Sequence, residues 1–275
     1  MQTDVKRLLR KYISNIQVNL LIAGYTHVWQ EWGERDYTPE YNKFYFVSDG
    51  EGWLKIGGKE FYPRPGQFFI MPAGVLQSFS TISPNTFTKY WCHFTATIGD
   101  KNLFDIIQLP YYIDVQDHES LTGLFIELVS NYNGENLTSC LRAKAALIEI
   151  IAFYLENTTI EDIQISNTPS VEKLNYVLTY IEKNLSRNIT VGELARIVHL
   201  HPNYFIKFFR THFGSSPIHY INKMKMDRAK SLLSTAAITV TEVAEAIGFN
   251  DIYHFSKAFK NYTGFSPKEY RNTVV

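Results

Sequence analysis

The 275-residue sequence predicts an α+β protein of two domains. The first is an N-terminal β-barrel of the jelly-roll kind with attached helices. The second is an all-α C-terminal domain with two helix-turn-helix motifs. Three observations carry this expectation. Short aromatic and β-branched runs, separated by Gly and Pro, fill residues 17–97. The stretch from Ile189 to Arg271 is written twice. The formal net charge of zero divides into net +6 from residue 171 onward, where 14 Lys and Arg face 8 Asp and Glu, and net −6 before it. A basic C-terminal third suits nucleic-acid binding confined to one end.

The strand signals are Phe44–Val47, Gly52–Ile56, Lys59–Tyr62, Gln67–Met71 and Lys89–Phe94, broken by Asp49-Gly50, Gly57-Gly58 and Pro63-x-Pro65-Gly66. Many short strands with frequent turns imply a barrel or sandwich. The run Gly66-Gln67-Phe68-Phe69-Ile70-Met71-Pro72-x-Gly74-x-x-Gln77 resembles the second cupin motif. Metal-binding cupins carry His where Gln77 stands, and the His-x-His pair of their first motif has no counterpart at 36–42, so neither a metal nor a cofactor is expected. Alternation along a strand points His27 with Trp29, and Trp91 with His93, to the same side. With Arg35, Tyr45, Trp53 and Gln77 they are the candidate ligand-binding residues, or else core residues with satisfied polar tips. Aromatic faces with a few fixed polar groups suit a sugar ring, and the expected ligand is an uncharged metabolite near Trp91 and His93.

Helical spacing returns over 119–131 and 138–156. Leu121, Leu124, Phe125 and Leu128 form one apolar stripe. Leu141, Ala145, Ile148 and Ala152, flanked by Leu147 and Ile151, form another. Such stripes pack on the barrel or serve as a seam between subunits. Asn157 to Ser170 is polar and is the expected linker, which divides the chain into a domain over 1–165 and a second over 171–275. An amphipathic helix over 171–185 opens the second domain.

The repeat follows. Ile189-Thr190-Val191-Gly192-Glu193-Leu194-Ala195 returns as Ile238-Thr239-Val240-Thr241-Glu242-Val243-Ala244, offset by 49. Phe205, Phe209, Gly214, Ser216-Pro217 and Tyr220 return offset by 50. Thr190-x-x-Glu193 and Thr239-x-x-Glu242 are capping boxes, in which hydroxyl and carboxylate reciprocally satisfy free N–H groups at a helix start. A first apolar stripe, a short break and a second aromatic stripe complete each unit, over about 190–213 and 239–262. Ile218, Ile221, Met224, Arg228 and Leu232 mark a long helix between the units.

The segment Ile247-Gly248-Phe249-Asn250-Asp251-x-x-x-Phe255-Ser256-Lys257-x-Phe259-Lys260-x-x-x-Gly264-x-Ser266-Pro267-x-x-Tyr270-Arg271 resembles the DNA-binding domain of the AraC/XylS family of bacterial transcription regulators. The resemblance covers about 171–273. It implies a regulator, expected to be an activator, in which a cupin-like sensor domain binds a small effector, a sugar or related metabolite. It also implies double-stranded DNA, a second copy of the chain and, for an activator, RNA polymerase as partners. One departure is His199, where the second copy has Gly248. If that turn needs positive φ, His occupies it at a cost of roughly 1–2 kcal/mol.

The second helix of each unit is the expected reading face. Asn203 and Lys207 lie one turn apart and suit adenine and guanine edges. Tyr204 and His201 flank them. In the second unit Asn250, Asp251, Tyr253, Ser256 and Lys257 face outward, with Asp251 suited to accept from cytosine. Arg210 and Lys260 follow a turn later and suit phosphate, as do the helix starts at Thr190 and Thr239. A merely solvated helix face is the alternative for each.

Two cysteines, Cys92 and Cys140, make no disulfide framework, and the longest apolar run, Val18 to Tyr25, is too short for a membrane span. No secretory pattern is visible at the N-terminus, so a cytoplasmic setting is expected. No phosphate loop, nucleophile elbow or paired Cys-x-x-Cys is present, and no enzyme activity is expected. The competing readings are a cupin enzyme with an appended DNA-binding domain and a regulator without an effector.

Overall fold

A computed structural model describes residue 10 and residues 13–159, 161–165, 169–235 and 238–274. The expected linker over 157–170 therefore lies partly outside the described residues, at 160 and 166–168. The chain divides into two compact units, 1–166 and 167–275.

The N-terminal unit is built of antiparallel strands. One sheet runs β1 (Gln17–His27), β8 (Thr88–Ile98), β3 (Asn42–Asp49), β6 (Gln67–Met71), β11 (Tyr112–Asp114), with β9 (Lys101–Asn102) paired to β8. The other runs β2 (Gly33–Tyr37), β7 (Gln77–Ser80), β4 (Trp53–Ile56), β5 (Lys59–Phe61). A small ribbon pairs β10 (Ile107–Gln108) with β12 (Gln164–Ile165). A short helix, α1 (Leu103–Ile106), follows β9. The two sheets enclose a core of Tyr45, Val47, Leu54, Ile56, Phe69 and Met71, with Val28 and Phe87.

Strand β3 explains its unbroken apolar run, because both of its faces are covered. Tyr45 and Val47 point between the sheets. Phe44 and Phe46 point the other way, to α2 (His118–Tyr132) and α3 (Ser139–Glu156). There Phe44 stacks 5.6 Å from Tyr154, and Phe46 stacks 6.3 Å from Phe125. Tyr154 is buried and donates its hydroxyl hydrogen bond to the Pro110 carbonyl at 2.8 Å.

Helix α2 buries Leu121, Phe125 and Leu128, as its spacing predicts. Helix α3 differs from expectation. It buries Ala143, Ala146, Leu147, Ile150, Ile151 and Tyr154, while Leu141 (67% exposed) and Ile148 (44%) point outward with Ala145. The helix has two apolar stripes, and the one that includes Tyr154 fits the aromatic outer face of the sheet.

Among the described residues the elements of the C-terminal unit are all helices: α4 (Pro169–Lys183), α5 (Val191–Ile197), α6 (Pro202–Phe213), α7 (Pro217–Thr235), α8 (Val240–Ala246), α9 (Ile252–Thr263) and α10 (Pro267–Val274). Both capping boxes form. Pro202 opens α6, and Gly214 and Gly264 close α6 and α9 in the left-handed conformation, at φ 67° and 84°. The repeat in sequence is a repeat in packing. Phe209 and Tyr220 meet edge-on at 5.4 Å, and so do Phe259 and Tyr270. The second unit's core gathers Val243, Ala244, Ile247, Phe255 and Phe259 on Met226, Ala229 and Leu233 of α7.

Candidate ligand cavity and nucleic-acid interface

Each helix-turn-helix pairs a seven-residue first helix with a twelve-residue second helix, α5 with α6 and α8 with α9. The turn between them needs a residue at positive φ. His199 sits there at 54° and Gly248 at 74°, so the two copies share one turn geometry despite their different residues. Phe205 and Phe209, and likewise Phe255 and Phe259, anchor the second helices by fully buried rings. That leaves Asn203, Tyr204, Lys207 and Arg210 on the exposed face of α6, and Tyr253, Lys257 and Lys260 on that of α9. Ser256 is half-buried beside them, and Asn250 is exposed just before the helix.

Four of the expected contact residues also hold structure together. His201 caps α6, its Nδ1 accepting from the Asn203 amide at 3.4 Å. Asp251 caps α9, with Oδ1 accepting from the Tyr253 amide at 2.9 Å. Thr190 and Thr239 are closed within their boxes: their hydroxyls accept from Glu193 and Glu242 at 3.2 and 3.1 Å, and their own amides donate to those carboxylates. Pairing holds the Glu193 carboxyl below its ordinary range, first through the Tyr180 hydroxyl and then through Arg187, and the Glu242 carboxyl through Thr239.

Within the C-terminal unit, both helix-turn-helices rest on one loop. Arg187 donates to Glu193 at 2.5 Å, and the buried Lys225 of α7 donates to the Arg187 carbonyl at 3.1 Å. Lys225 also lies 5.5 Å from the Phe249 ring, in the turn of the second unit.

In the N-terminal unit a cavity of about 360 Å³ lies against β1, β3 and β8, within the range of small-molecule sites. Pairing of β3 with β8 sets Lys43 opposite His93, Tyr45 opposite Trp91 and Val47 opposite Lys89. Lys43, Tyr45, Lys89, Trp91 and His93 all line the cavity. Trp91 donates from Nε1 to the Thr26 hydroxyl at 3.0 Å. Its ring lies across Gly24, where an added Cβ would come within 3.0 Å of it. His93 lies between Trp91 and Tyr41, with ring centroids 5.1 and 4.7 Å away. Trp32 stacks on Phe79 at 4.3 Å.

Of the eight expected ligand residues, Trp29, Tyr45, Trp91 and His93 line this cavity, Trp29 while largely exposed. The other four do not. His27 is tied to Thr88 at 2.9 Å and Thr86 at 3.3 Å, and β1 ends at His27, so the alternation that pairs it with Trp29 does not continue. Arg35 lies over the Trp53 ring at 4.5 Å, and Trp53 Nε1 donates to Glu60 at 3.2 Å. Gln77 is buried and donates to the Pro72 carbonyl at 2.8 Å, a turn-fixing role at the place where cupins carry a metal ligand.

The residues not anticipated are Lys43 and Lys89, both buried, together with Trp32, Tyr37, Tyr41 and Phe79. The Lys89 ammonium sits 3.6 Å from the Trp32 ring centroid and 4.0 Å from that of Tyr45, and Lys43 lies 4.3 Å from that of Tyr37. Cation–π contacts of this kind stabilise a desolvated ammonium by about 2 kcal/mol, less than the several kcal/mol that burial costs. Burial accordingly lowers Lys43 to about 7, against the opposing pull of Glu34. It lowers Lys89 well below its ordinary value, helped by the charge of Lys43. His93 is lowered to about 4 by burial and then by both lysines. The signal in the sequence was period two: Lys43 and Lys89 fall in phase with Tyr45 and with Trp91 and His93.

Among the described residues, no three His, Cys, Asp or Glu side chains come together as a metal set, and no helix is long and apolar enough to cross a membrane.

Comparison with known proteins agrees with both units. Residues 38–151 match an AraC-like ligand binding domain, and residues 194–273 match a helix-turn-helix domain. The chain is 27% identical over 242 residues to the raffinose operon transcriptional regulatory protein RafR of Pediococcus pentosaceus, covering 84% of each chain. It is 25% identical to the arabinose operon regulatory protein of Escherichia coli K12, over 81% of this chain and 77% of that one. It is 21% identical to the lactose operon transcription activator of Staphylococcus xylosus, over 83% of this chain and 82% of that one. With a ligand-binding domain and a double helix-turn-helix domain on one chain, and operon regulators as its relatives, this protein belongs to the AraC/XylS family of DNA-binding transcription regulators.

Proposed function

We propose that the chain activates transcription of a carbohydrate-utilisation operon in response to a small sugar-derived metabolite bound in the N-terminal cavity. The observation that carries this reading is the aromatic cavity, in which Trp32, Trp91, Tyr41 and Tyr45 offer ring faces and His93 and the lysines offer polar tips. Ring faces with a few fixed polar groups match the alternating apolar faces and hydroxyl edges of a pyranose. The names of the relatives, regulators of raffinose, arabinose and lactose operons, support a sugar-derived effector, and the last supports activation.

In this reading Asn203, Lys207, Tyr253, Ser256 and Lys257 meet base edges, while Arg210 and Lys260 meet phosphates. The long α7 joins two reading helices that enter successive major-groove segments, about one DNA turn or ~34 Å apart. The outward stripe of Leu141, Ala145 and Ile148 on α3 forms the seam of a homodimer, and RNA polymerase is the partner through which activation acts.

The reading is tested by screening sugars, sugar acids and sugar phosphates by thermal shift. Any stabilising compound is then added to operator-binding and run-off transcription assays. A specific ligand at 100 times its Kd should stabilise the chain by about 2.7 kcal/mol and raise transcript yield. If no carbohydrate derivative stabilises the chain or alters transcription, the reading fails.

A further inference from the structure

The cavity wall carries two lysine amines that have no ion-pair partner among the described residues. Lys43 and Lys89 are 1% and 3% exposed, and both line the cavity wall. Among the described residues neither has an ion pair or a hydrogen bond to a carbonyl or carboxylate; their near neighbours are ring faces. Glu34 lines the cavity but is exposed and lies beyond ion-pair distance of Lys43. A folded chain gains nothing by burying two unpaired lysine amines in phase on one sheet face. A long apolar side chain at either position would fill the same space without the desolvation cost. Two such groups around one space of about 360 Å³ suit a ligand that brings the missing negative charge.

The geometry points to an anionic effector, a monosaccharide-sized ring carrying a carboxylate or a phosphate, with the anion between Lys43 and Lys89 and the ring against Trp91 and Trp32. This deepens the proposed sensor reading and rests on it. It replaces the uncharged effector that the aromatic residues alone suggest, because neither lysine belongs to that aromatic set. Buried Lys43 has its ionisation midpoint at about 7, so in mild base an arriving anion draws a proton onto the lysine. The groups that face it are Glu34 and Tyr37 from β2, Tyr41 before β3, Tyr45 on β3, and Lys89 and His93 from β8. Of these, Lys89 takes up protons in the same direction, and His93, lowered to about 4, stays neutral.

The test is calorimetry on the full chain at about pH 8, in two buffers of different ionisation enthalpy, with a panel of hexose and pentose acids, their phosphate esters and the neutral parent sugars. At least one acid or phosphate should bind about ten-fold tighter than its neutral parent, with proton uptake. Whether the acid or the ester binds identifies which anion the site takes. Lys89→Met and Lys43→Met should each weaken that ligand about ten-fold or more while raising the melting temperature of the free protein, which shows that both variants fold. A neutral sugar that binds as tightly as its acid and ester, without proton uptake, overturns the anion assignment and leaves the sensor reading standing. So does anion binding that neither substitution weakens. If nothing in the panel binds, charged or neutral, the sensor reading itself falls.

Discussion

Gly248 lies against Ser186: a Cβ built on the glycine would stand 2.6 Å from the Ser186 carbonyl carbon, at a backbone φ of 74°. The turn of the second helix-turn-helix is thereby seated on the loop that leads into the first. Two independent demands, left-handed backbone and contact with another main chain, fall on one residue. Gly248→Ala should therefore cost more than the roughly 1–2 kcal/mol of left-handed strain alone and lower operator affinity, as measured by denaturant titration and gel shift. His199 occupies the matching turn of the first unit at φ 54°. Its replacement, His199→Gly, should instead stabilise by about 1 kcal/mol, and a loss of stability would contradict the strain assigned there.

Lys207 and Lys260 carry the same charge on equivalent second helices and should behave differently. Lys207→Ala is expected to change base preference and to cost roughly 1–3 kcal/mol on the best operator. Lys260→Ala is expected to weaken all sequences alike and to reduce the salt slope by about one contact. Binding measured on an operator library at two salt concentrations separates the two roles. Unchanged affinity in both variants would show that this face does not meet DNA.

Trp91 borders the cavity in the N-terminal unit, anchored by its bond to Thr26. Trp91→Ala should abolish the effector response while leaving the affinity for operator DNA without effector within about two-fold. An equal loss of both would mean that the substitution acts through folding, which the melting temperature would reveal.

Stability should depend on pH with a defined sign. Lys43 falls from its ordinary 10.5 to about 7 in the folded chain, so between those values the unfolded chain binds more protons. Stability therefore rises as pH increases from about 7 to 10.5, by on the order of 5 kcal/mol, and that part of the rise should vanish in Lys43→Met. His93, lowered from 6.5 to about 4, adds a second rise between those values with the same sign. Chemical denaturation of wild type and variants across pH measures both differences.

The outward stripe on α3 should hold two copies together. Leu141→Asp combined with Ile148→Asp is expected to leave the fold intact, because both side chains point away from the sheet, and to raise the dimer dissociation constant by at least about a hundred-fold in sedimentation equilibrium.

The sequence by itself determined what is local. The capping boxes at Thr190 and Thr239, the turn positions His199 and Gly248 and the buried stripes of Phe205, Phe209, Phe255 and Phe259 are specified within a dozen residues, by side chains that satisfy or bury their own backbone. The same holds for β3 and β6, whose apolar runs leave little choice of structure. Tertiary structure alone decided which side chains share a space. Lys43 and Lys89 are 46 positions apart and come to line one cavity only because β3 pairs with β8 in one register. Arg35 and Trp53 have equal chemical promise but are spent on partners of their own, and Gln77 is tied through its Nε2 to the Pro72 carbonyl, away from the cavity lining. Helix α3 offered two apolar stripes, and the aromatic face of the sheet selected the one containing Tyr154. A lysine inside a strand is ordinarily a solvated side chain because burying its charge is costly, so the period-two phase of Lys43 and Lys89 gains its meaning only once the packed sheets turn both toward a ligand-sized cavity.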